Sequence, residues 1–328
     1  MNKEDVMRYK QLPKTGLTVS QLSLGTMMFG GQTNEPDSIA IMDYAFEQGV
    51  NFFDTANVYN QGESERIVGK WLKGRRDRMI LATKVRGQMG KDPNDAGLSR
   101  RNILSAVEAS LKRLDTDYID IYYMHAPDYN TDIEESLDAM DSLVRAGKIR
   151  YVAVSNYAAW QMADILHICD KRGYAGPVIS QNVYNLITRG LEAELAPFLK
   201  EHRIGMAIYN PIAGGFLAGK HRPGKPAENT RFANNQNYYD RYWSDENFGA
   251  VEKLAGIASG AGMSLLELSM KWCAAQPVVT SIISGVSRLE QIRQNIASLE
   301  GELPGKETLD ACDEVWRSLA GTRFAYNR

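Results

Sequence analysis

Short apolar runs alternate with helical patterns eight times along this chain, and this alternation restricts the fold more than any other feature. The runs predicted as strands are residues 21–24, 52–54, 79–84, 119–125, 149–155, 178–181, 204–209 and 278–283. Each crossover helix returns the chain to the same end of the sheet, so the strands are predicted to be parallel. Eight such units close a (β/α)8 TIM barrel, and 328 residues suit that fold with insertions.

Further elements are predicted outside the eight units. Residues 8–12 and 17–20 flank a Pro/Gly turn and predict an N-terminal β-hairpin. Extra helices are predicted at 245–260, 264–275 and 307–319, after a long glycine- and aromatic-rich stretch at 210–244. No linker, repeat or low-complexity segment divides residues 1–328, so they are predicted as one domain.

The competing fold is an open doubly wound sheet. That fold usually carries Gly-x-Gly-x-x-Gly between its first strand and first helix. The glycines between Gly25 and Gly31 do not have this spacing. The barrel is therefore the preferred prediction.

Composition restricts the possible partners. Hydrophobic residues make up 44% and charged residues 24% of the sequence, as in ordinary globular proteins. The net charge of -2 argues against nucleic acid or an anionic membrane as the main partner. No apolar run reaches the ~18 residues of a membrane span, and the polar N-terminus does not resemble a signal peptide.

The cysteines and histidines predict no disulfide and no metal site. Cys169, Cys273 and Cys312 are far apart and fall in predicted helices, which indicates reduced, buried thiols in a cytoplasmic protein. The four histidines are scattered, and no His/Cys cluster has metal-ligand spacing. We therefore expect no bound metal.

Ionisable side chains end three successive predicted strands. Asp54, Lys84 and His125 close the second, third and fourth runs, and Tyr59 follows Asp54 by five residues. Because the carboxyl ends of barrel strands share one rim, the four side chains are predicted to meet. Taken singly, each has another explanation as a strand-end cap, a solvated charge, a core aromatic or a structural histidine.

Together these four residues suit the reduction of a carbonyl group. A phenol has a pKa of about 10 and is a poor acid at neutral pH, but a nearby ammonium such as that of Lys84 lowers that pKa. Asp54 would hold Lys84 charged and in place, and His125 would orient a substrate oxygen. Tyr59 would then protonate that oxygen as hydride arrives at carbon.

At these residues the sequence resembles the aldo-keto reductases, over about residues 8–320. The matching segments are Phe53-Asp54-Thr55-Ala56 with Tyr59, Thr83-Lys84, His125-Ala126-Pro127-Asp128, residues 147–152 running into Val154-Ser155-Asn156, and residues 181–185. The resemblance implies a (β/α)8 barrel and an NADPH-dependent reductase of aldehydes and ketones. Its branch includes potassium-channel β subunits and bacterial general aldo/keto reductases.

The resemblance also assigns individual residues. Tyr59 matches the general acid, Lys84 and Asp54 the pair that tunes its pKa, and His125 the histidine that orients the substrate. The implied contacts to NADPH or NADP+ are Gly25, Thr26, Met27, Asp54, Ser155, Asn156, Gln181, Tyr209, Asn210, Pro211, Leu217, Gly219, Lys220, Arg231, Gly285, Ser287, Arg288, Gln291 and Asn295.

Within that set, the side chains of Ser155, Asn156 and Gln181 would hold the nicotinamide carboxamide, and the Tyr209 ring would stack on the nicotinamide. The segment 210–220 would cover the pyrophosphate. Independently of the resemblance, a helix N-terminus that carries an arginine suits a 2′-phosphate. Ser287 and Arg288 begin such a helix, although Gln291 stands where many relatives carry an arginine.

The substrate is expected to contact Phe29, Tyr59 and His125. Further candidates in the strand–helix loops and the tail are Met28, Tyr129, Tyr238, Tyr239, Tyr242, Trp243, Arg323, Phe324 and Tyr326. The loop aromatics could equally pack on one another.

Two other functions stay open at this stage. One is an NADPH-binding regulatory subunit with little turnover, since a fold does not determine a function. The other is a barrel hydrolase or aldolase that uses Lys84 as a Schiff-base amine. The sequence sets neither the physiological substrate nor the oligomeric state.

Overall fold

The computed structural model describes residues 7–228 and 230–320 of the chain. Two short strands, β1 (Tyr9–Gln11) and β2 (Thr18–Ser20), precede eight further strands. The latter are β3 (Leu22–Gly25), β4 (Phe52–Asp54), β5 (Ile80–Val85), β6 (Ile119–Met124), β7 (Ile149–Ser155), β8 (Ile179–Val183), β9 (Gly205–Tyr209) and β10 (Val279–Gly285). Strands β1 and β2 pair antiparallel, and β3–β10 form a closed parallel barrel in the order β10-β3-β4-β5-β6-β7-β8-β9. Both the predicted barrel and the predicted hairpin are confirmed.

Twelve α-helices lie within the described residues. They are α1 (Glu35–Glu47), α2 (Glu63–Leu72), α3 (Arg100–Leu114), α4 (Ile133–Arg145), α5 (Ala159–Arg172), α6 (Leu195–Glu201), α7 (Arg231–Asn234), α8 (Gln236–Tyr242), α9 (Asp245–Gly260), α10 (Leu265–Ala275), α11 (Leu289–Ala297) and α12 (Lys306–Ala320). Polar caps begin several of them, as expected for N–H groups without a partner in the first turn. The predicted cap Ser99 accepts a hydrogen bond from the backbone N–H of Asn102 at 3.3 Å.

The structure differs from the prediction in the sixth unit and in the seventh loop. The sixth helix was predicted from residue 191, but Gly190–Ala193 forms a separate 3-10 turn and α6 begins at Leu195. Glu194 separates the two with φ of −138°, which no α-helix accommodates. The stretch at 210–244 contains α7 and α8, which sequence patterns did not indicate because they have only four and seven residues.

The inside of the barrel is filled by one apolar cluster. Its members from the strands are Phe52, Ile80, Ala82, Ile121, Tyr123, Ala153, Ile179, Ala207 and Ile283. Leu12 and Val19 of the hairpin belong to the same cluster and are fully buried. A Cβ added at Gly205 would lie 2.5 Å from Leu12 Cδ1, so the hairpin fits because this position has no side chain. The hairpin thus closes the amino end of the barrel.

The interior face of each strand continues from the apolar cluster to the functional site. Side chains two positions apart point to the same face of a strand. Two residues beyond an interior apolar residue comes a polar one, as in Phe52 and Asp54, Ala82 and Lys84, Tyr123 and His125, Ala153 and Ser155, and Ile179 and Gln181. The polar residues therefore form the next layer of the interior, at the carboxyl end of the strands.

The helices pack around the barrel in a second, larger apolar cluster. Cys169, Cys273 and Cys312 are free and buried in α5, α10 and α12, as predicted. Burial raises the pKa of the Cys169 thiol to about 11, which keeps it protonated. Across the described ranges, no helix combines the length and the apolar character required to cross a bilayer.

Candidate active site

Asp54, Tyr59 and Lys84 meet at the carboxyl end of the barrel interior. Lys84 Nζ donates hydrogen bonds to Asp54 Oδ1 at 2.5 Å, to the Thr55 carbonyl oxygen at 2.7 Å and to the Tyr59 hydroxyl at 3.4 Å. The Lys84 side chain is 0% and that of Asp54 3% exposed, so both charges of this pair are buried. A buried ion pair persists only where each charge is compensated, and these contacts supply that compensation.

The pair also connects opposite walls of the barrel. Asp54 Oδ2 accepts a hydrogen bond from Gln181 Nε2 at 2.8 Å. Asp54 ends β4 and Gln181 lies on β8, and these strands are four places apart in a ring of eight. One carboxylate therefore spans the interior from wall to wall.

Lys84 remains an ammonium in this environment. Burial lowers the pKa of Lys84, but Asp54 and Tyr59 raise it, and the net pKa lies above the ordinary value of 10.5. The side chain is accordingly a permanent cation beside the Tyr59 hydroxyl. It is not available as a neutral amine nucleophile.

The pKa of Tyr59 moves in the direction opposite to the expectation. Burial raises this pKa, and the lowering by Lys84 only partly offsets that effect, so the net pKa lies above 10.0. Burial outweighs the neighbouring cation because the phenolate would lose its hydration. In this structure Tyr59 is therefore a protonated phenol at neutral pH, with a cation positioned to stabilise its conjugate base.

A strained turn presents Tyr59 to the interior. After Tyr59, three consecutive residues have positive φ: Asn60 at 48°, Gln61 at 55° and Gly62 at 86°. Asn60 Nδ2 donates hydrogen bonds to the carbonyl oxygens of Met27 at 3.0 Å and Phe29 at 2.7 Å. Asparagine tolerates the left-handed region better than most residues. Sequence reasoning missed Asn60, although its Asn-Gln-Gly context is typical of such a turn.

His125 completes the reactive side of the site. Its ring meets the Tyr59 ring edge-on, with centroids 5.9 Å apart and an interplanar angle of 79°. Burial, reinforced by the charges of Lys84 and Arg86, lowers the pKa of His125 to about 3. A neutral imidazole has one N–H donor, which suits it to hold a substrate oxygen without transferring a proton to it.

The opposite side of the site contains the predicted nicotinamide contacts. Asn156 Nδ2 donates to Ser155 Oγ at 3.0 Å and to the His125 carbonyl oxygen at 3.1 Å, and Asn156 Oδ1 accepts from the Tyr209 hydroxyl at 2.7 Å. Asn156 has φ of 64°, which turns its side chain towards this network. Ser155, Asn156 and Tyr209 therefore lie together at the ends of β7 and β9, with the polar atoms that a carboxamide could bind.

The predicted loop contacts lie around the rim. Gly25 and Gly285 pair at the ends of β3 and β10, where a Cβ on Gly25 would lie 2.7 Å from Ile283. Thr26 is fully buried and Met27 is 41% exposed. Gly25 therefore lies against the Ile283 side chain with no room for a side chain of its own.

The segment after β9 makes a tight turn over the site. Asn210, Ala213, Gly214 and Gly215 all have positive φ, of 56°, 49°, 68° and 104°. Among the described residues, Asn210 Nδ2 is buried without a hydrogen-bond partner. The remaining predicted contacts of this segment are Pro211 and Leu217, which are buried, Gly219, which has φ of 70°, and Lys220, which is exposed.

Arg231 connects the seventh loop to the first. Its guanidinium lies over the Tyr238 ring at 4.9 Å, and its NH2 group is 3.6 Å from Met28 Sδ. Tyr238 donates a hydrogen bond to Asn210 Oδ1 at 3.0 Å and lies close enough to Tyr59 to affect its pKa. Tyr238 is thus the aromatic residue of this loop that approaches the reactive centre.

The other loop aromatics form a small core of their own, which was the alternative prediction. Tyr242 is 2% exposed, Tyr239 stacks on Trp243 with centroids 6.0 Å apart, and Trp243 packs against Phe216. In the fourth loop, Tyr129 is 82% exposed. The predicted contacts Arg323, Phe324 and Tyr326 lie outside the described residues.

The assignment of Phe29 to the substrate pocket is corrected. Its side chain is fully buried in the outer apolar cluster. Asn60 holds the Phe29 backbone from the other side, which directs the ring towards the core. In the same loop, Met27 is exposed and Met28 is half-buried.

The turn before α11 is held by two of the predicted cofactor residues. Gln291 Oε1 accepts hydrogen bonds from the backbone N–H of Ser287 at 2.8 Å and of Arg288 at 3.2 Å. Asn295 Nδ2 donates to Ser284 Oγ at 2.9 Å. Arg288 is exposed and, within the described ranges, forms no ion pair. Gln291 therefore caps the helix start, and the exposed Arg288 side chain lies at the same point.

The chain is similar to known proteins over most of its length. The family model described as "Aldo/keto reductase family" matches residues 21–317. A "Probable voltage-gated potassium channel subunit beta" from Arabidopsis thaliana is 38% identical over 90% of this chain and 92% of its own length. An "Uncharacterized oxidoreductase YrpG" from Bacillus subtilis is 36% identical over 96% and 98%. An "Aflatoxin B1 aldehyde reductase member 2" from Homo sapiens is 35% identical over 90% and 86%.

Proposed function

Because the chain belongs to the aldo/keto reductase family, and is on that ground an oxidoreductase, we propose that it reduces aldehydes or ketones with NADPH and that Tyr59 is the proton donor. One observation carries the proposal. The Tyr59 hydroxyl lies 3.4 Å from the amine of a completely buried Lys84, which is itself fixed by Asp54 at 2.5 Å. Burial of a lysine ammonium costs free energy. A buried ammonium this close to a phenol therefore supports a functional role for the pair.

The proposed reaction assigns one role to each residue. When bound, the reduced nicotinamide supplies the hydride. His125 donates a hydrogen bond to the carbonyl oxygen and orients it, and Tyr59 transfers its proton to that oxygen as negative charge develops. Lys84 stabilises the phenolate that remains, because a cation within hydrogen-bond reach favours the charged form. Asp54 keeps Lys84 in position through a charge-assisted hydrogen bond.

The residues present fit a dinucleotide. The buried Nδ2 group of Asn210 has no hydrogen-bond partner among the described residues, and a Cβ added at Gly215 would meet nothing within 4 Å. Asn156, Ser155 and the Tyr209 hydroxyl form a hydrogen-bonded group of donors and acceptors of the kind that a carboxamide can join. Ser287 and Arg288 would hold the phosphate on the adenosine side. These features support NAD(P)H binding across the rim from the end of β7 to the start of α11.

The preference for NADPH over NADH rests on Arg288. Its exposed guanidinium at the start of α11 suits a 2′-phosphate. Arg288→Ala is expected to raise the Michaelis constant for NADPH about tenfold and to leave that for NADH unchanged. Arg293→Ala is the matched control, since the Arg293 guanidinium lies over the Tyr44 ring at 4.3 Å. Equal Michaelis constants for the two cofactors in the wild type would refute the proposed preference.

The test of the reaction itself is Tyr59→Phe. We expect kcat for 4-nitrobenzaldehyde or methylglyoxal to fall by a factor of roughly 10² to 10⁴, because the proton donor is lost. The affinity for NADPH, measured by fluorescence titration, should be unchanged. Tyr118→Phe serves as a control, because Tyr118 precedes β6 at the other end of the barrel. A Tyr59→Phe variant with wild-type kcat would refute the assignment.

A second function is an NADPH-binding regulatory subunit with little turnover. It is favoured by the relative named as a channel subunit β. The presence of all four residues Asp54, Tyr59, Lys84 and His125 in one site supports the enzyme instead. Tight NADPH binding with no turnover of a broad aldehyde panel would favour the subunit.

The Schiff-base alternative requires a neutral amine at Lys84. The pKa of Lys84 is raised by Asp54 and Tyr59 beyond the lowering caused by burial, which argues against that chemistry. Borohydride treatment with a carbonyl substrate is therefore expected to give no covalent adduct at this residue.

A further inference from the structure

Arg86 is the first residue beyond β5 and lies on the rim of the site. Its Nε donates a hydrogen bond to the carbonyl oxygen of Pro127 at 3.0 Å, two residues beyond His125. On its other side, a Cβ added at Gly87 would lie 2.7 Å from the side chain of Val58. Arg86 therefore stands between the loop that carries the histidine and the loop that carries the phenol.

The backbone at Arg86 is held in an unusual conformation. Its φ is 145°, a value that residues with a Cβ rarely adopt. Its carbonyl oxygen accepts a hydrogen bond from the Gly97 N–H at 2.9 Å, which ties it to the segment before α3. Such strain persists where the surrounding structure fixes it, and it occurs often at ligand sites.

The charge of Arg86 is not used within the described parts of the chain. The residue is exposed, its terminal nitrogens have no hydrogen-bond partner there, and no carboxylate lies within ion-pair distance. The carboxylate that faces it is Asp128, whose oxygens already accept hydrogen bonds from Leu98 N–H at 2.7 Å, Thr131 Oγ1 at 2.8 Å and Asn130 N–H at 3.1 Å.

The two nitrogen side chains beside Tyr59 offer no free positive charge. Lys84 is paired with Asp54, and His125 is neutral because its pKa is lowered to about 3. Among the described residues, the guanidinium of Arg86 is thus a cation without an ion pair that lies against the loop carrying His125. Its two terminal NH2 groups form the fork that matches a carboxylate.

We propose that Arg86 binds a carboxylate on the substrate and so gives the enzyme a preference for carbonyl compounds that carry one. This inference rests on the proposed reductase function and assigns a substrate class to it. Arg86 acts on binding and orientation of the substrate, whereas Tyr59 and His125 act on the reacting oxygen.

The experiment compares 2-, 3- and 4-carboxybenzaldehyde with their methyl esters. The rigid ring sets the distance from carbonyl to carboxylate, so the favoured isomer also measures the position of Arg86. We expect the wild type to have a higher kcat/KM for at least one acid than for its ester. Arg86→Ala should lower kcat/KM for that acid about tenfold and change that for the ester by less than about twofold.

Two further variants separate the charge from the backbone. Arg86→Gly accommodates a φ of 145° without strain, and it is expected to lose the acid preference as fully as Arg86→Ala does. Arg101→Ala, which removes an exposed charge from α3, should leave both substrates unaffected. Recovery of the acid preference in Arg86→Gly would show that loop geometry, and not the guanidinium, causes it, and would overturn the inference.

The outcomes distinguish this inference from the proposed function. Reduction of the esters with no preference for any acid would overturn the role of Arg86 and leave the reductase intact. If no aldehyde is reduced, the reductase proposal fails, and calorimetric titration with 4-carboxybenzaldehyde decides the binding role. Weaker binding to Arg86→Ala than to the wild type would support it, and equal binding would overturn it.

Discussion

Replacement of Asp54 by asparagine tests whether the buried ion pair holds the site together. The change keeps the side-chain size but leaves the Lys84 ammonium, which is 0% exposed, without a counter-charge and with neutral acceptors such as the Thr55 carbonyl oxygen and the Tyr59 hydroxyl. Removal of one partner from a buried pair costs about 3–5 kcal/mol of unfolding free energy. Because both charges are buried, solvent screening does not reduce this figure.

A double variant isolates the interaction between the two charges. Asp54→Asn with Lys84→Met buries neither charge, so its unfolding free energy should return to within about 2 kcal/mol of the wild type. Urea denaturation followed by circular dichroism and by tryptophan fluorescence provides the measurement, provided that the two transitions coincide. A loss below about 1 kcal/mol for Asp54→Asn, or a double variant no more stable than the sum of the single effects, would refute the reasoning.

The pH dependence gives an independent check with a definite sign. In the wild type, burial lowers the pKa of Lys84 but Asp54 and Tyr59 raise it above 10.5, so Lys84 binds its proton in both the folded and unfolded states at lower pH. Without Asp54, burial dominates and the folded-state pKa falls below the unfolded one. The unfolded state then binds more protons, so the variant gains stability as pH rises. The cost of Asp54→Asn should therefore shrink between about pH 7 and pH 9.5.

Three other perturbations have expected outcomes. Because the pKa of His125 is lowered to about 3, the pH profile of kcat/KM should have no His125 step between about pH 5 and 8; a step near pH 6.5 that disappears in His125→Asn would contradict this. Leu12→Ala, which truncates a fully buried side chain of the N-terminal hairpin, should lower the unfolding free energy by about 2–5 kcal/mol in urea denaturation, and a smaller loss would mean that the hairpin does not pack tightly on the barrel. Asn60→Gly keeps the positive φ but removes the hydrogen bonds to Met27 and Phe29; it should cost about 1–2 kcal/mol and raise the Michaelis constant for the cofactor, and an unchanged constant would separate this turn from cofactor binding.

The ionisable residues at the ends of three successive strands were predictable from the sequence, and this is why the site residues could be found. Asp54, Lys84 and His125 each end an apolar run, and each lies two residues beyond a side chain of the interior cluster. Side chains two positions apart face the same side of a strand, so an ionisable residue two positions beyond an interior side chain also faces the interior. The meeting of these residues therefore follows from local pattern together with closure of the barrel.

Other features depend on burial and on long-range contacts, which sequence patterns do not reveal. Phe29 was placed in the substrate pocket because it lies in the first loop, but the contact of Asn60 with its backbone directs it into the core. The pKa of Tyr59 was expected to fall, yet burial raises it more than Lys84 lowers it. The helices α7 and α8 were not predicted, because four and seven residues are too few to show a helical period.

The single carboxylate of Asp54 bonds to Lys84 on one wall and to Gln181 on the opposite wall, and so links the two walls across the interior of the barrel. A shift of the Asp54 carboxylate would break hydrogen bonds to both walls. The reactive centre and the stability of the barrel therefore depend on the same atoms. New substrate specificities should consequently arise in the surrounding loops, where residues such as Arg86 and Tyr238 can change while Asp54 and its hydrogen bonds are kept.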